Sequence, residues 1–212
     1  MKVTKYEHAC LDIREADGRL IVDPGGWTSQ LPDYAGVTAV VITHVHADHL
    51  DESKVLKIVE QNPNVPIFCT QQVADKLSEN FATTIPDVDT EYKAGPFTLE
   101  FFGGLHAQIL EDWPQDQNFG VLVSNSLYYP GDSLTPCTKP HRVTATPSVA
   151  PWLKTSEAAA FIKQDTARIV FPTHNNIVNE NGEGLLNRIL GGVAEQAGKE
   201  YRTLKPGESL EV

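Results

Sequence analysis

Val37-Thr38-Ala39-Val40-Val41-Ile42-Thr43-His44-Val45-His46-Ala47-Asp48-His49 decides how this chain is read. Its first six residues are apolar and β-branched, the composition of a buried strand. Its last six put three of the chain's seven histidines beside a carboxylate. Asp51 to Glu60 then reads as a helix, with Asp51 placed to cap it. The cluster therefore falls on the turn from a strand end into a helix start. His44 and His46, two apart in an extended segment, point to the same side. Asp48 and His49, adjacent on a turn, can diverge and need not serve the same centre. Neutral imidazoles packed with a carboxylate suit a borderline divalent cation. A polar loop whose histidines only cap a helix would use one of them, not three.

The same design recurs along the chain. Leu20-Ile21-Val22 ends at Asp23, and Phe101-Phe102 runs through Gly103-Gly104-Leu105 to His106. Leu127-Tyr128-Tyr129 ends in Pro130-Gly131-Asp132, and Ile169-Val170-Phe171 ends in Pro172-Thr173-His174. With Val40 to His44 this makes five apolar runs that each end at or near a ligand-capable side chain. If the strands share one edge of the core, all five side chains converge on one mouth, where open α/β architectures put their sites. Val-Val-Ile-Thr-His and Val-Phe-Pro-Thr-His also resemble each other, a hint of internal duplication.

The 212 residues fit a single domain over 1–212, and an apolar fraction of 41% is that of an ordinary globule. A net charge of −11 lacks the basic footprint of a general nucleic-acid binder. It leaves an anionic substrate open, because a bound cation inverts the local field. Met1 to Ile13 carries scattered charges rather than a secretory signal, and no apolar stretch reaches membrane-spanning length. Cys10, Cys69 and Cys137 are odd in number and form no CxxC, so reduced thiols and a cytoplasmic setting are expected. Cys10 and Cys69 lie in apolar runs as buried fillers. Cys137, on a loop, is either a small hydrophobe or a ligand.

Strands are expected at Lys2 to Tyr6, Ala9 to Ile13, Arg19 to Val22, Val65 to Cys69, Phe97 to Phe102, Phe119 to Val123, Ser126 to Tyr129, Arg142 to Ala145 and Arg168 to Phe171. Asp17-Gly18 and Ser124-Asn125 mark hairpin turns. Helices are expected at Gln71 to Glu79, at Ser156 to Gln164 with Thr155 or Ser156 as cap, and at Glu183 to Ala197 with a stop at Gly198. Ile109 to Gln117 reads as an exposed loop, Phe81 to Ala94 is ambiguous, and Tyr201 to Leu204 with Ser209 to Val212 reads as a closing hairpin.

These residues resemble the metallo-β-lactamase superfamily. Its HxHxDH signature is met by His44, His46, Asp48 and His49. The later positions follow in order: His106 after a glycine turn, Asp132 in Gly-Asp-Ser, and His174 at a strand end. Asp23 in Asp-Pro-Gly matches the early structural aspartate, so the resemblance spans nearly the whole chain. Tyr6-Glu7-His8-Ala9-Cys10 resembles the opening of the small single-domain, ascorbate-6-phosphate lactonase-like branch. The resemblance implies an α/β fold, the four-layer αβ/βα sandwich of two mixed sheets with helices outside. It implies two divalent metal ions, zinc first and manganese or iron as alternatives. His44, His46 and His106 would hold one ion, and Asp48, His49 and His174 the other. Asp132 would bridge them together with a hydroxide, which makes Asp132 and Asp48 the catalytic carboxylates. A glutamate stands at the position of His46 in flavo-diiron relatives.

The expected function is hydrolysis of a small ester-like substrate, an anionic one included: a lactone, thioester or phosphoester. The rivals are a mononuclear-iron redox or oxygenase member and a non-catalytic metal-binding protein. Neither nucleic acid nor membrane is an expected partner. Asp23 is expected to support a histidine ligand rather than bind metal, and His8 to be a satisfied structural histidine rather than a pocket residue. Lys139 and His141 are either substrate-anion contacts or solvated loop charges. Trp113 and Trp152 either wall the substrate or pack at the core edge.

Overall fold

A computed structural model describes all residues except 30, 78, 80 and 89. Fourteen strands and four helices are assigned in the order β1 (Lys2–Lys5), β2 (Leu11–Glu15), β3 (Gly18–Val22), β4 (Ala39–Ile42), α1 (Glu52–Gln61), β5 (Ile67–Cys69), α2 (Gln71–Lys76), β6 (Thr83–Thr84), β7 (Glu91–Ala94), β8 (Phe97–Leu105), β9 (Gln117–Val123), β10 (Leu127–Tyr129), β11 (Val143–Pro147), α3 (Thr155–Gln164), β12 (Ile169–Thr173), α4 (Glu180–Gln196), β13 (Glu200–Tyr201) and β14 (Ser209–Glu211). They form two seven-stranded sheets, ordered β14-β1-β2-β3-β4-β5-β6 and β13-β12-β11-β10-β9-β8-β7. Both sheets are mixed: β3-β4-β5 run parallel beside antiparallel β1-β2, and β10-β11-β12-β13 run parallel beside antiparallel β8-β9.

Period-2 alternation decides which side chains fill which layer. Leu20, Val22, Ala39 and Val41 meet Phe101, Val121, Val143 and Phe171 between the sheets. Ile21, Val40 and Ile42 point the other way, onto Val55 and Ile58 of α1 and Val73 of α2. On the far side Val170 packs on Ala158 and Ile162 of α3 and on Leu190 and Ala194 of α4. The result is the expected four-layer αβ/βα sandwich. Among the described residues no helix is long and apolar enough to cross a membrane.

Several boundaries differ from the sequence reading for local reasons. Asp51 caps α1 as expected, accepting from Ser53 N and Lys54 N. The cap of α3 is Lys154, not Thr155 or Ser156; its backbone N–H is satisfied by Glu157. Helix α2 ends at Lys76, and α4 begins three residues early on the Asn179 cap. Residues 201–212 are not a hairpin. β13 joins β12 in parallel, whereas β14 crosses to the other sheet and pairs antiparallel with β1. The apolar alternation of both segments is real, but strand partners are set by which sheet edge is open.

The Asp23-Pro24-Gly25 turn is wedged against the cluster loop. A Cβ on Gly25 would lie 1.7 Å from the Asp48 carbonyl oxygen, so only glycine fits. Lys54 Nζ of α1 donates to the Gly25 carbonyl at 2.8 Å and fixes the turn from below. Gly25→Ala should therefore lower stability by on the order of 1–3 kcal/mol through overpacking. Gly192→Ala, inside α4 with open space at its Cβ, should be neutral or stabilise by about 0.5–1 kcal/mol. Urea unfolding of both variants checks this; equal midpoint shifts would refute the close approach at Gly25.

Candidate metal centre

The strand ends converge as the sequence implied. β3, β4, β8, β10 and β12 lead into Asp23, His44, His106, Asp132 and His174 at one sandwich edge, and the β4–α1 turn adds His46, Asp48 and His49. Three groups of ligand-capable atoms result among the described residues, one of them made by Asp23, His44 and His49. Those of His44, His46 and His106 lie within 4.8 Å of one another, and so do those of His8, Asp48, His49 and His174. Asp132 stands between the latter two groups. Its Oδ1 is 3.2 Å from His49 Nε2, and its Oδ2 is 3.4 Å from His106 Nε2 and 3.0 Å from His174 Nε2. Asp48 and His49 thus fall in the same group, although their adjacency allowed them to diverge.

Each imidazole is oriented by what its other nitrogen meets. Nδ1 of His49 donates to Asp23 Oδ2 at 2.7 Å, of His106 to the Ala107 carbonyl at 2.6 Å and of His174 to the Val149 carbonyl at 2.7 Å. His44 Nδ1 donates to Thr43 Oγ1 at 3.0 Å, and that hydroxyl in turn donates to Asp23 Oδ2 at 2.7 Å. These acceptors hold the proton on Nδ1. They leave Nε2 of His44, His49, His106 and His174 buried without a hydrogen-bond partner. Buried polar atoms are rarely left so, and four aimed at one place are a donor set that divalent cations would satisfy. His46 is turned the other way: its Nε2 donates to Asp116 Oδ2 at 2.9 Å, which frees Nδ1.

The charges of the groups point the same way. Burial opposes ionisation of Asp132, but His49 and His174 hold its carboxyl well below the usual range. Asp48 is likewise held low against burial by His174 and His8. His174 is pushed up to about 9, burial being outweighed by Asp132 and Asp48. His49 is also raised, against burial, by Asp132 and Asp23. His44 goes down, through burial and the neighbouring His49. The edge is a sink for positive charge.

Three neighbours were missed in the sequence. His8 is a site neighbour rather than a satisfied structural residue. Its Nε2 lies 3.0 Å from Asp48 Oδ2, while its buried Nδ1 has no partner. Its ring also lies 4.0 Å from that of His174. Asp116 does for His46 what Asp23 does for His49, and it is itself held by Gln72 Nε2 at 2.9 Å. Trp27 covers His8 at a ring distance of 4.7 Å. His8 was weighed as a structural histidine against a pocket residue, and Asp116 sat unmarked in a loop. Trp152, by contrast, does border the site, and its indole Nε1 donates to Asp132 Oδ2 at 3.1 Å. Trp113 lines a cavity next to His46 and His106.

The structure also decides between the readings left open for Lys139, His141 and Cys137. Lys139 pairs with Glu100 of β8, and His141 is buried against Asp165 at 3.0 Å, so neither borders the cavities beside the cluster. His141 is not a solvated loop charge either. Cys137 packs with Phe102, Leu122, Tyr128 and Phe161, and it joins no metal-capable group among the described residues. Phe102, Leu122 and Tyr128 alternate with the intersheet residues Phe101, Val121 and Leu127, so Cys137 packs on the outer face of the second sheet.

The comparisons with known proteins agree with this geometry. Residues 2–174 match the model of the Beta-lactamase superfamily domain. The chain belongs to the metallo-β-lactamase superfamily. Protein Rv0786c of Mycobacterium tuberculosis is 31% identical over 214 residues, covering 99% of this chain and 98% of that one. A UPF0173 metal-dependent hydrolase of Aeropyrum pernix is 32% identical over 108 residues, 49% of this chain and 44% of its own length. Igni18, a metallo hydrolase from the hyperthermophilic archaeon Ignicoccus hospitalis, superimposes with a TM-score of 0.74 at 18% identity over 100% of this chain and 98% of that one. The likeness to Igni18 establishes the shared fold.

His141 provides a test apart from the cluster. Burial lowers its affinity for a proton, but Asp165 wins and raises the pKa to about 10 from 6.5. The protonated pair therefore stabilises the fold fully below about pH 6.5, and this contribution is lost as pH rises toward 10. His141→Gln should cost about 3–5 kcal/mol near pH 6, as for a broken buried pair, and progressively less up to pH ~10. Thermal unfolding across that range checks it, and a penalty independent of pH would mean a neutral His141.

Proposed function

We propose that this chain is a binuclear metal-dependent hydrolase of a small ester-like substrate: a lactone, thioester or phosphoester. The four partnerless Nε2 atoms, divided between two groups with Asp132 in the middle, are the observation that carries this reading. His44, His46 and His106 would hold one ion, and Asp48, His49 and His174 the other, with Asp132 shared. Zinc suits these nitrogen and oxygen donors, and manganese or iron could use the same set. Bound there, the ions would supply Lewis acidity and a water acidic enough to serve as nucleophile near neutral pH. The chain has no Gly-x-Ser-x-Gly nucleophile motif that would offer a side chain instead.

The protein's own residues do the positioning. Asp23 and Asp116 fix two ligand imidazoles from behind. Trp152 and Asn118 aim Asp132: the indole donates to its carboxylate, and its backbone N–H donates to Asn118 Oδ1 at 3.0 Å. The Aeropyrum pernix relative, named a metal-dependent hydrolase, supports the reaction class across 49% of the chain. The opening at Tyr6 to Cys10 adds an ascorbate-6-phosphate lactonase-like substrate to the candidates. Three free, buried cysteines suit a cytoplasmic protein.

Metal-reconstituted protein should approach two ions per chain by elemental analysis, and saturation at one would sink the binuclear reading. Asp23→Asn and Asp116→Asn should each weaken metal affinity by roughly 10–100-fold while the fold persists. Unchanged affinity in both would remove their supporting role. On a panel of lactone, thioester and phosphoester substrates, chelation and Asp132→Ala should each abolish turnover. Activity that survives complete chelation, or a trapped acyl-enzyme, would defeat the mechanism.

A further inference from the structure

The mouth over the cluster is walled by apolar side chains. Trp27, Pro151, Trp152 and Ile177 line one cavity together with Asp48 and His174. Ile109, Trp113 and Pro114 line its neighbour with His46 and His106. Trp27 is 47% exposed, Trp113 57% and Ile177 37%. Large exposed apolar side chains grouped around a polar centre mark a binding surface rather than chance exposure. Trp152 joins wall and centre in one side chain: its Nε1 donates to Asp132, and its ring lies 5.8 Å from His106 and 6.4 Å from His174.

Away from the ions that the cluster would hold, the charge at the mouth has the sign that repels an anion. Among the described residues, no lysine or arginine lines either cavity. Lys139, the loop cation nearest Asp132 in sequence, pairs with Glu100. The segment that carries Trp113 also carries exposed Glu111 and Asp112. A phosphate or carboxylate held away from the histidine cluster would lose its hydration against indole and isoleucine and gain no cation.

We propose that the substrate presents an uncharged apolar body, an alkyl or aryl acyl group, to the wall of Trp27, Trp152, Ile177 and Trp113. Its reacting carbonyl would lie at Asp132, and any negative charge would be confined to the reacting group itself. This assignment rests on the hydrolase reading for the bond that is cleaved, and on the wall for everything beyond it.

Two probe series separate the two ideas. The first is binding of acetohydroxamate, hexanohydroxamate and succinate monohydroxamate to zinc-loaded protein, read by quenching of tryptophan fluorescence. The hexano probe should bind about tenfold or more tighter than the aceto probe, since each buried methylene favours binding about fourfold, and the succinate probe no tighter than the aceto probe. Trp27→Ala and Ile177→Ala should each reduce the hexano-to-aceto ratio at least about threefold. The second series is hydrolysis of acetyl, hexanoyl and succinyl thioesters of N-acetylcysteamine, with kcat/KM expected highest for hexanoyl. Hydrolysis that favours succinyl over hexanoyl, or a hydroxamate ratio of one, overturns the apolar assignment and leaves the hydrolase reading intact. A persistent hexanohydroxamate preference without turnover of any lactone, thioester or phosphoester supports the wall and removes the hydrolase reading.

Discussion

One buried imidazole lies between two carboxylates and is hydrogen-bonded to one of them. His49 gives Nδ1 to Asp23 at 2.7 Å and lies with Nε2 3.2 Å from Asp132, and all three side chains are withdrawn from solvent. Two desolvated carboxylates on one ring are tenable only if positive charge sits between them and other donors satisfy their remaining oxygens. Thr43 meets that need for Asp23 with both its backbone N–H and its hydroxyl, and Trp152 meets it for Asp132. The arrangement ties β3, β4, β10 and the loop before α3 to one point. The relative position of the two sheets at this edge is therefore an electrostatic as well as an apolar matter.

The backbone is bent to serve the same point. His8, Asp23 and His174 all take left-handed conformations, with φ of 63°, 46° and 59°, although none is glycine. Such conformations persist where the surroundings over-determine them, and they concentrate at functional sites. Here the His174 backbone N–H donates to the His8 carbonyl at 2.9 Å, and the Asp23 N–H to the Val41 carbonyl at 2.9 Å. The strain is held by neighbouring strands and turns side chains that would otherwise follow the pleat toward the common mouth.

Much of this was legible in the sequence because the signals were local. Apolar runs ended by ligand-capable residues marked the strands, their common edge and His44, His106, Asp132 and His174, the turn after the central strand added His46, Asp48 and His49, and Asp-Pro-Gly located Asp23 behind them. What stayed hidden depended on contacts between distant segments. His8 looked structural because its value lies in meeting Asp48 forty residues later, and Asp116 went unmarked because its partner is His46, seventy residues earlier. His141 looked exposed because Asp165, which buries it, belongs to the turn after another helix. The last two strands looked like a hairpin because alternation states that a segment is a strand without stating whose neighbour it is.

That last arrangement bears on how the molecule is assembled. β14 pairs with β1, Val3 opposite Leu210, so the first sheet receives its outermost strand only after every strand of the second has been made. Until then β1 is an open edge, with a row of unpaired N–H and C=O groups ready to template another chain. Closing a contact across some two hundred residues is also among the slower events a fold of this size can require. The three residues of β14 therefore act as a stopper against edge-to-edge aggregation, and the molecule is most exposed to self-association in the interval before they arrive.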